Sequence, residues 1–401
     1  MGEIQGAGKA MILRKITLPL VLPAILSAVI LTFSKAIGTF GTINYLGSPV
    51  QYYTLSSQLY MNINSRDTQT GFAMAILMII IASIAVFVNQ KLIGSRKSYA
   101  TIGGKGGRST LIGLGKVGRP VITAALFVFF AVGIIMPIVI LVMESFMLKE
   151  GIYSLDNFTL HYWIGESNPQ IMEGLPGIFK NDEFINSLFN SLRLTLVNGV
   201  FGTIFGQLLG YITAQGRGRL HGKLVEQLVF IPYLIPSVAF GGIYLSMFSQ
   251  PQQIFGVTLV PALYGTFALL TLVSVVKHLP FAARAGTSNM LQISGELEEA
   301  ATIEGAGFFR RFVKIVFPLS KGGFISGFML IFVSIMKELD LIILIMTPTT
   351  STLPYLAFRY QNGNSPQASD CVAIVMFSIV FLVYAIANLS GKADLAKSMA
   401  G

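Results

Sequence analysis

Apolar stretches long enough to cross a bilayer recur along the chain near residues 20–40, 72–90, 121–143, 187–214, 224–248, 261–281, 322–342 and 370–389. A spanning helix needs about 20 such residues, so the pattern predicts about eight transmembrane helices. The stretches are too long for core strands, and no run of alternating apolar and polar positions suggests a membrane barrel. The fourth carries Arg193, Asn198 and Gln207 and is expected to face protein or water more than lipid. Met1, Gly2 and Glu3 open the chain without the basic-then-apolar order of a signal peptide.

Composition agrees with that pattern. Of 401 residues, 53% are hydrophobic and 11% charged, against about 25% charged in soluble domains. A water-soluble enzyme and a disordered chain are both excluded. The one cysteine, Cys371, excludes a disulfide scaffold and a cysteine-built metal site. The net charge of +10 would suggest nucleic acid in a soluble protein, but here it reads as topology. Residues 91–119 hold seven Lys/Arg and no acid, whereas 144–186 hold seven acids with only Lys149 and Lys180. Basic loops stay in the cytoplasm, so 91–119 is expected inside and 144–186 outside. Alternation puts 215–223, 282–321 and both termini inside, and nucleic acid drops out as a partner.

Residues 93–119 are Gly-rich and basic and read as a cytoplasmic linker. Gly113, Gly115 and Gly118 spell GxGxxG, but no strand precedes them, so no dinucleotide site is expected. No GxxxxGK[ST] occurs, so no ATP site is expected in this chain. A shift of 299 residues reveals an internal repeat: GAGKAMILRKITLPL at 6–20 matches GAGFFRRFVKIVFPL at 305–319 at seven of fifteen positions. Matched glycines and prolines carry more weight than shared apolar residues, and each copy leads straight into a predicted span.

The second copy is preceded by Glu299-Ala300-Ala301, giving EAA-x3-G with Ile315 and Pro318 beyond it. Physically, Glu296 to Glu304 should form a short helix with Ser294 as N-cap and acids near its positive end. Gly305 permits the turn that ends it, and Pro318 suits the first turn of the next helix. The expected product is a helix–turn–helix at 296–318 on the cytoplasmic face. This pattern resembles the EAA loop of permease subunits in binding-protein-dependent ABC importers. The resemblance implies that Glu299, Ala300, Ala301, Gly305, Ile315 and Pro318 form an ATPase-coupling surface, with Gly6, Ile16, Leu18 and Pro19 in the corresponding places of the first copy. It implies ABC ATPase subunits inside, a soluble substrate-binding protein outside, ATP bound by a separate subunit, and a bacterial inner-membrane location.

Residues 120–401 then read as a complete six-span permease unit, and 1–92 as the last two spans of another, truncated in its loop. The fused double permeases of the ferric-iron type are most similar, on Phe33 to Gly41, Tyr99-Ala100-Thr101 and Met336-Lys337-Glu338-Leu339. Related permeases carry polyamines, phosphonates, thiamine or sulfate. Lys35, Arg193, Lys337, Glu338, Asp340 and Asp370 lie in or near spans, where an ionisable group costs about 2.5–3.5 kcal/mol on insertion scales. Lys337, Glu338 and Asp340 either line a pathway or, as the favoured reading has it, close the outer end of a span towards water or a soluble partner. His161, His221 and His278 fall in separate segments, so no metal site and no catalytic constellation is expected. An ion-coupled secondary transporter and a membrane enzyme are the competing classes.

Overall fold

The computed structural model describes residues 8–94, 115–291, 293 and 295–389. Gly6, Ser294, most of the basic linker and both termini lie outside the described residues. The architecture is helical. Helices α1 (Leu18–Gly38), α2 (Leu55–Asn64) and α3 (Thr68–Gly94) precede the linker. After it come α4 (Gly115–Glu144), α5 (Asp182–Gln215), α6 (Leu220–Leu234), α7 (Ser237–Phe248) and α8 (Phe267–Met290). The chain continues with α9 (Gly295–Ile303), α10 (Phe308–Leu319), α11 (Lys321–Met336), α12 (Leu353–Asn362) and α13 (Pro366–Leu389).

Among the described residues, five helices are long and apolar enough to cross a membrane, and up to seven spans result if each of two bent pairs is one span. The first expected stretch, 20–40, falls in α1, of which Ala28–Gly38 is a shorter apolar helix. Two expected straight spans are broken. Residues 224–248 form α6 and α7 at 97°, because Ile235 and Pro236 are extended between them and Pro236 cannot continue a helix. Residues 322–342 end early: α11 stops at Met336, and α10 meets it at 76°. An antiparallel hairpin, β1 (Gln252–Ile254) and β2 (Val257–Val260), fills the loop after α7.

Helix α5 packs along α8, and both pack against α11. Close approach rests on small residues: a Cβ on Gly206 would sit 2.7 Å from the Ala282 carbonyl carbon, and one on Gly210 2.6 Å from that of Gly286. Such contact is how helices associate where lipid removes the hydrophobic drive. Asn198 and Gln207 are buried, so one face of α5 lies against protein, while Arg193 is exposed and lies over the Phe267 ring at 4.1 Å. The central core joins Leu194, Phe240, Leu269, Ile331 and Leu341. A second core seats Tyr162, Met172 and Ile178 of the 145–181 segment on α12 and α13.

The 299-residue repeat continues beyond the matched sequence. A π turn at Leu13–Thr17 feeds α1, and one at Phe312–Val316 lies within α10. Helices α2 and α12 begin 298 residues apart at Leu55 and Leu353, as do α3 and α13 at Thr68 and Pro366. Pro19 and Pro318 each stand two residues after their π turn, as Pro137 does after the π turn Ala131–Ile135 in α4. Proline lacks the amide that would reach back four residues, and its ring crowds that carbonyl. The wider turn relieves both conflicts. Pro318 therefore sits within α10, before the bend, and not in the first turn of α11 as expected.

Candidate functional sites

The first site is the 296–318 element. Helix α9 ends in a paired bond set: Ala306 N donates to Ala301 O at 2.9 Å and Gly305 N to Thr302 O at 3.0 Å. This is the glycine-terminated helix end that requires a left-handed residue, and Gly305 supplies it with φ +77°. Arg311 Nη1 donates to Thr302 Oγ1, tying α10 back to α9. The element is held against the end of α5 by Glu298, whose carboxylate accepts from Tyr211 Oη at 2.5 Å and from Gln215 Nε2 at 3.1 Å. The Tyr211 ring meets those of Phe308 and Phe312, each at 5.7 Å.

With Glu298 turned inwards, Glu299 and Ala300 are exposed and Ala301 is half-buried. Ile303 and Phe309 stand beside them at 85% and 81% exposure. Ile315 is half-buried in its π turn, and Pro318 is exposed. In the first copy Leu18 and Pro19 occupy the start of α1, exposed, and the Ile16 backbone lies in the π turn. Sequence reasoning overlooked Tyr211, Gln215, Ile303 and Phe309. Two large apolar residues bracketing a glycine in a charged loop were the available signal for the last pair.

The second site is a cavity of about 340 Å³ where α1, α7, α8 and α11 meet. Lys337, Glu338 and Asp340 line it, directly beyond the last residue of α11. Glu338 Oε2 lies 3.4 Å from His278 Nε2, and its side chain is 18% exposed. His278 belongs to α8, a helix of 24 residues, or about 36 Å at 1.5 Å per residue. The contact therefore falls near mid-helix. From Lys337 to Met346 the backbone is irregular, yet Leu341 to Met346 are buried. Such backbone is tolerated at membrane depth only when protein covers it or it lines a cavity.

Three of the charged groups there have structural partners. Lys277 donates to the carbonyls of Pro232, at 2.9 Å, and Ile235, the acceptors freed by the α6–α7 break. Glu338 Oε1 accepts from Leu341 N at 3.0 Å, capping the irregular segment. Asp340 Oδ1 accepts from Gly41 N at 2.9 Å, across 299 residues of sequence. The two repeat copies thus touch at equivalent positions. Lys35 lies over the Tyr233 ring at 5.1 Å. Among the described residues no three His, Cys, Asp or Glu form a group able to hold a metal ion.

The sequence model of the family described as "Binding-protein-dependent transport system inner membrane component" matches residues 1–99 and 202–393. A ferric transport system permease protein of Actinobacillus pleuropneumoniae is 22% identical over 393 residues, 96% of this chain and 53% of that protein. The chain thus spans about half the length of that relative. A sulfate transport system permease protein of Synechocystis sp. is 26% identical over 51% of this chain and 71% of its own length. A molybdate/tungstate transport system permease protein of Thermococcus kodakarensis is 28% identical over 50% and 76%. In fold, the chain is similar to a protein of a bacterial ABC transporter involved in the import of the acidic polysaccharide alginate. That likeness has a TM-score of 0.53 at 16% identity and covers 67% of this chain and 94% of that one.

Proposed function

The chain belongs to the family of binding-protein-dependent transport system inner membrane components, and from that premise we propose that it works as a permease subunit of an ATP-driven importer. It is a multi-pass membrane component and not an enzyme. In this reading a soluble binding protein delivers substrate outside, and separate ABC subunits bind and hydrolyse ATP inside. Both termini and the basic linker lie in the cytoplasm. Residues 1–92 and 120–401 act as parts of two related units, and their helices alternate access to the substrate.

The observation that carries the reading is the α9–α10 element. It offers Glu299, Ala300, Ile303 and Phe309 to a partner, while Glu298 and Arg311 fasten it to α5 and to itself. Motion imposed on this element is therefore passed to α5 and, through the bend at Ser320, to α11. Gly305→Val tests it, since a β-branched residue cannot adopt φ +77° cheaply. The variant should insert normally and lose stimulated ATP hydrolysis in the assembled transporter. Full stimulation in the variant would remove the coupling role.

For the cargo, ferric iron is supported by the relative matched along nearly the whole chain. Permeases named for sulfate and molybdate/tungstate match half of it at slightly higher identity. The lysines of the cavity favour an anionic cargo as the second reading.

A further inference from the structure

We infer that the cavity between α1, α7, α8 and α11 is a binding site for an anionic oxygen group, carried either by a free oxyanion or by the carboxylates of a ferric chelate. The inference rests on the importer reading and names what the pathway would hold.

Three lysines from three parts of the chain converge there: Lys35 on α1, Lys277 on α8 and Lys337 just after α11. Placing ammonium groups at membrane depth is costly, and such groups are usually paired or functional. Lys277 is accounted for by two backbone carbonyls. The two carboxylates are also engaged, Glu338 by His278 and the Leu341 amide, Asp340 by the Gly41 amide. Among the described residues, neither the Lys35 nor the Lys337 ammonium has a hydrogen bond or ion pair; Lys35 has only the face of Tyr233. Among the described residues three ammonium groups thus face two carboxylates, leaving a net positive lining in which two of the ammonium groups are unengaged.

The neutral surroundings suit the same ligand. Ser237 opens α7, a helix of 12 residues, and lines the cavity, and the first amides of a helix favour negative charge. Ser334 adds a hydroxyl. A bare cation would meet two unengaged ammonium groups in a lining of net positive charge. At about 30 Å³ per water, 340 Å³ holds a small hydrated oxyanion or the edge of a compact chelate.

Equilibrium binding to the membrane complex, purified with its ATPase subunits, without ATP and without binding protein, tests the inference. The probes are ³⁵S-sulfate, molybdate and ⁵⁵Fe-citrate. At least one should bind saturably, and Lys35→Gln and Lys337→Gln should each weaken it roughly tenfold, as expected for a charge-assisted hydrogen bond. Lys337→Arg should retain binding, and Lys180→Gln, in the 145–181 segment, should leave it unchanged. Sulfate or molybdate binding assigns a free oxyanion; binding of ferric citrate alone assigns the chelate. Absence of saturable binding by all three, or equal or tighter binding in both glutamine variants, overturns the site. Stimulated ATP hydrolysis on the same preparations separates the two failures. Stimulation without anion binding sinks this inference alone, whereas loss of stimulation in the wild-type complex sinks the importer reading.

Discussion

The two repeat copies differ most where they meet. At the positions that line the cavity or touch across it, the first copy has Lys35, Gly38, Thr39 and Gly41, and the second has Ser334, Lys337, Glu338 and Asp340. At each of the four positions, charge is present in only one copy. Where two related segments face each other, equivalent residues meet next to the axis that relates them, as Gly41 and Asp340 do, so aspartate in both copies would place carboxylate against carboxylate. At low effective dielectric that repulsion would be several kcal/mol per pair. Divergence between the copies lets Asp340 meet the bare Gly41 amide instead of a second carboxylate. It also lets Gly38 press against α7 while its counterpart, Lys337, points a cation at the cavity.

The largest test exchanges bulk at that equivalent pair. A Cβ on Gly38 would lie 2.9 Å from the Pro236 Cα, which is backbone and cannot give way. Gly38→Leu should therefore lose about 3 kcal/mol or fail to fold, whereas Lys337→Leu should stay within about 0.5 kcal/mol. Unfolding in mixed micelles reads both, and equal losses would break the comparison. Next in size is the contact between copies. Asp340→Ala strands the Gly41 amide and should cost about 1–3 kcal/mol, while Asp340→Asn keeps an acceptor and should recover most of it.

A smaller effect is expected at α9, which has no counterpart among the described residues of the first copy. Tyr211→Phe removes one of the two bonds to Glu298 and should speed amide exchange at 304–306 by about tenfold. Pro19→Ala and Pro318→Ala should each change stability by less than about 1 kcal/mol and with the same sign, because both follow equivalent π turns. Opposite signs would show that the copies use the turn differently.

The smallest effect is at a charge pair in the 145–181 segment. Lys180 bonds Glu166, and that bond and charge hold the Glu166 carboxyl below its ordinary value. Its contribution is present above the unfolded value and lost as pH falls through the lowered folded one. Lys180→Gln should raise the Glu166 titration midpoint, followed by carbon NMR, without a measurable stability change.

Much of this was legible in the sequence. Length and apolarity marked the five long apolar helices and the two bent pairs, since the cost of unsatisfied backbone in lipid favours helices. Gly305 was identified as a helix stop from local pattern alone, and its φ and paired bonds are local too. Pro318 was placed one element too late because the π turn, a response to the proline itself, leaves no signature in hydrophobic periodicity. The cavity that Lys337, Glu338 and Asp340 line was not legible, because it depends on contacts with α1, α7 and α8 that no local pattern shows.

By itself, then, the sequence determined the helical class, the charge asymmetry between loops and the turn at Gly305, all set by interactions within a few residues. Only the tertiary structure decided that α11 ends at Met336, that Lys277 satisfies the carbonyls of a break 42 residues earlier, and that the two copies meet at Gly41 and Asp340. The physical reason is that a broken helix in a membrane needs remote partners for its freed backbone groups. Which residues supply them is fixed by packing, not by proximity along the chain.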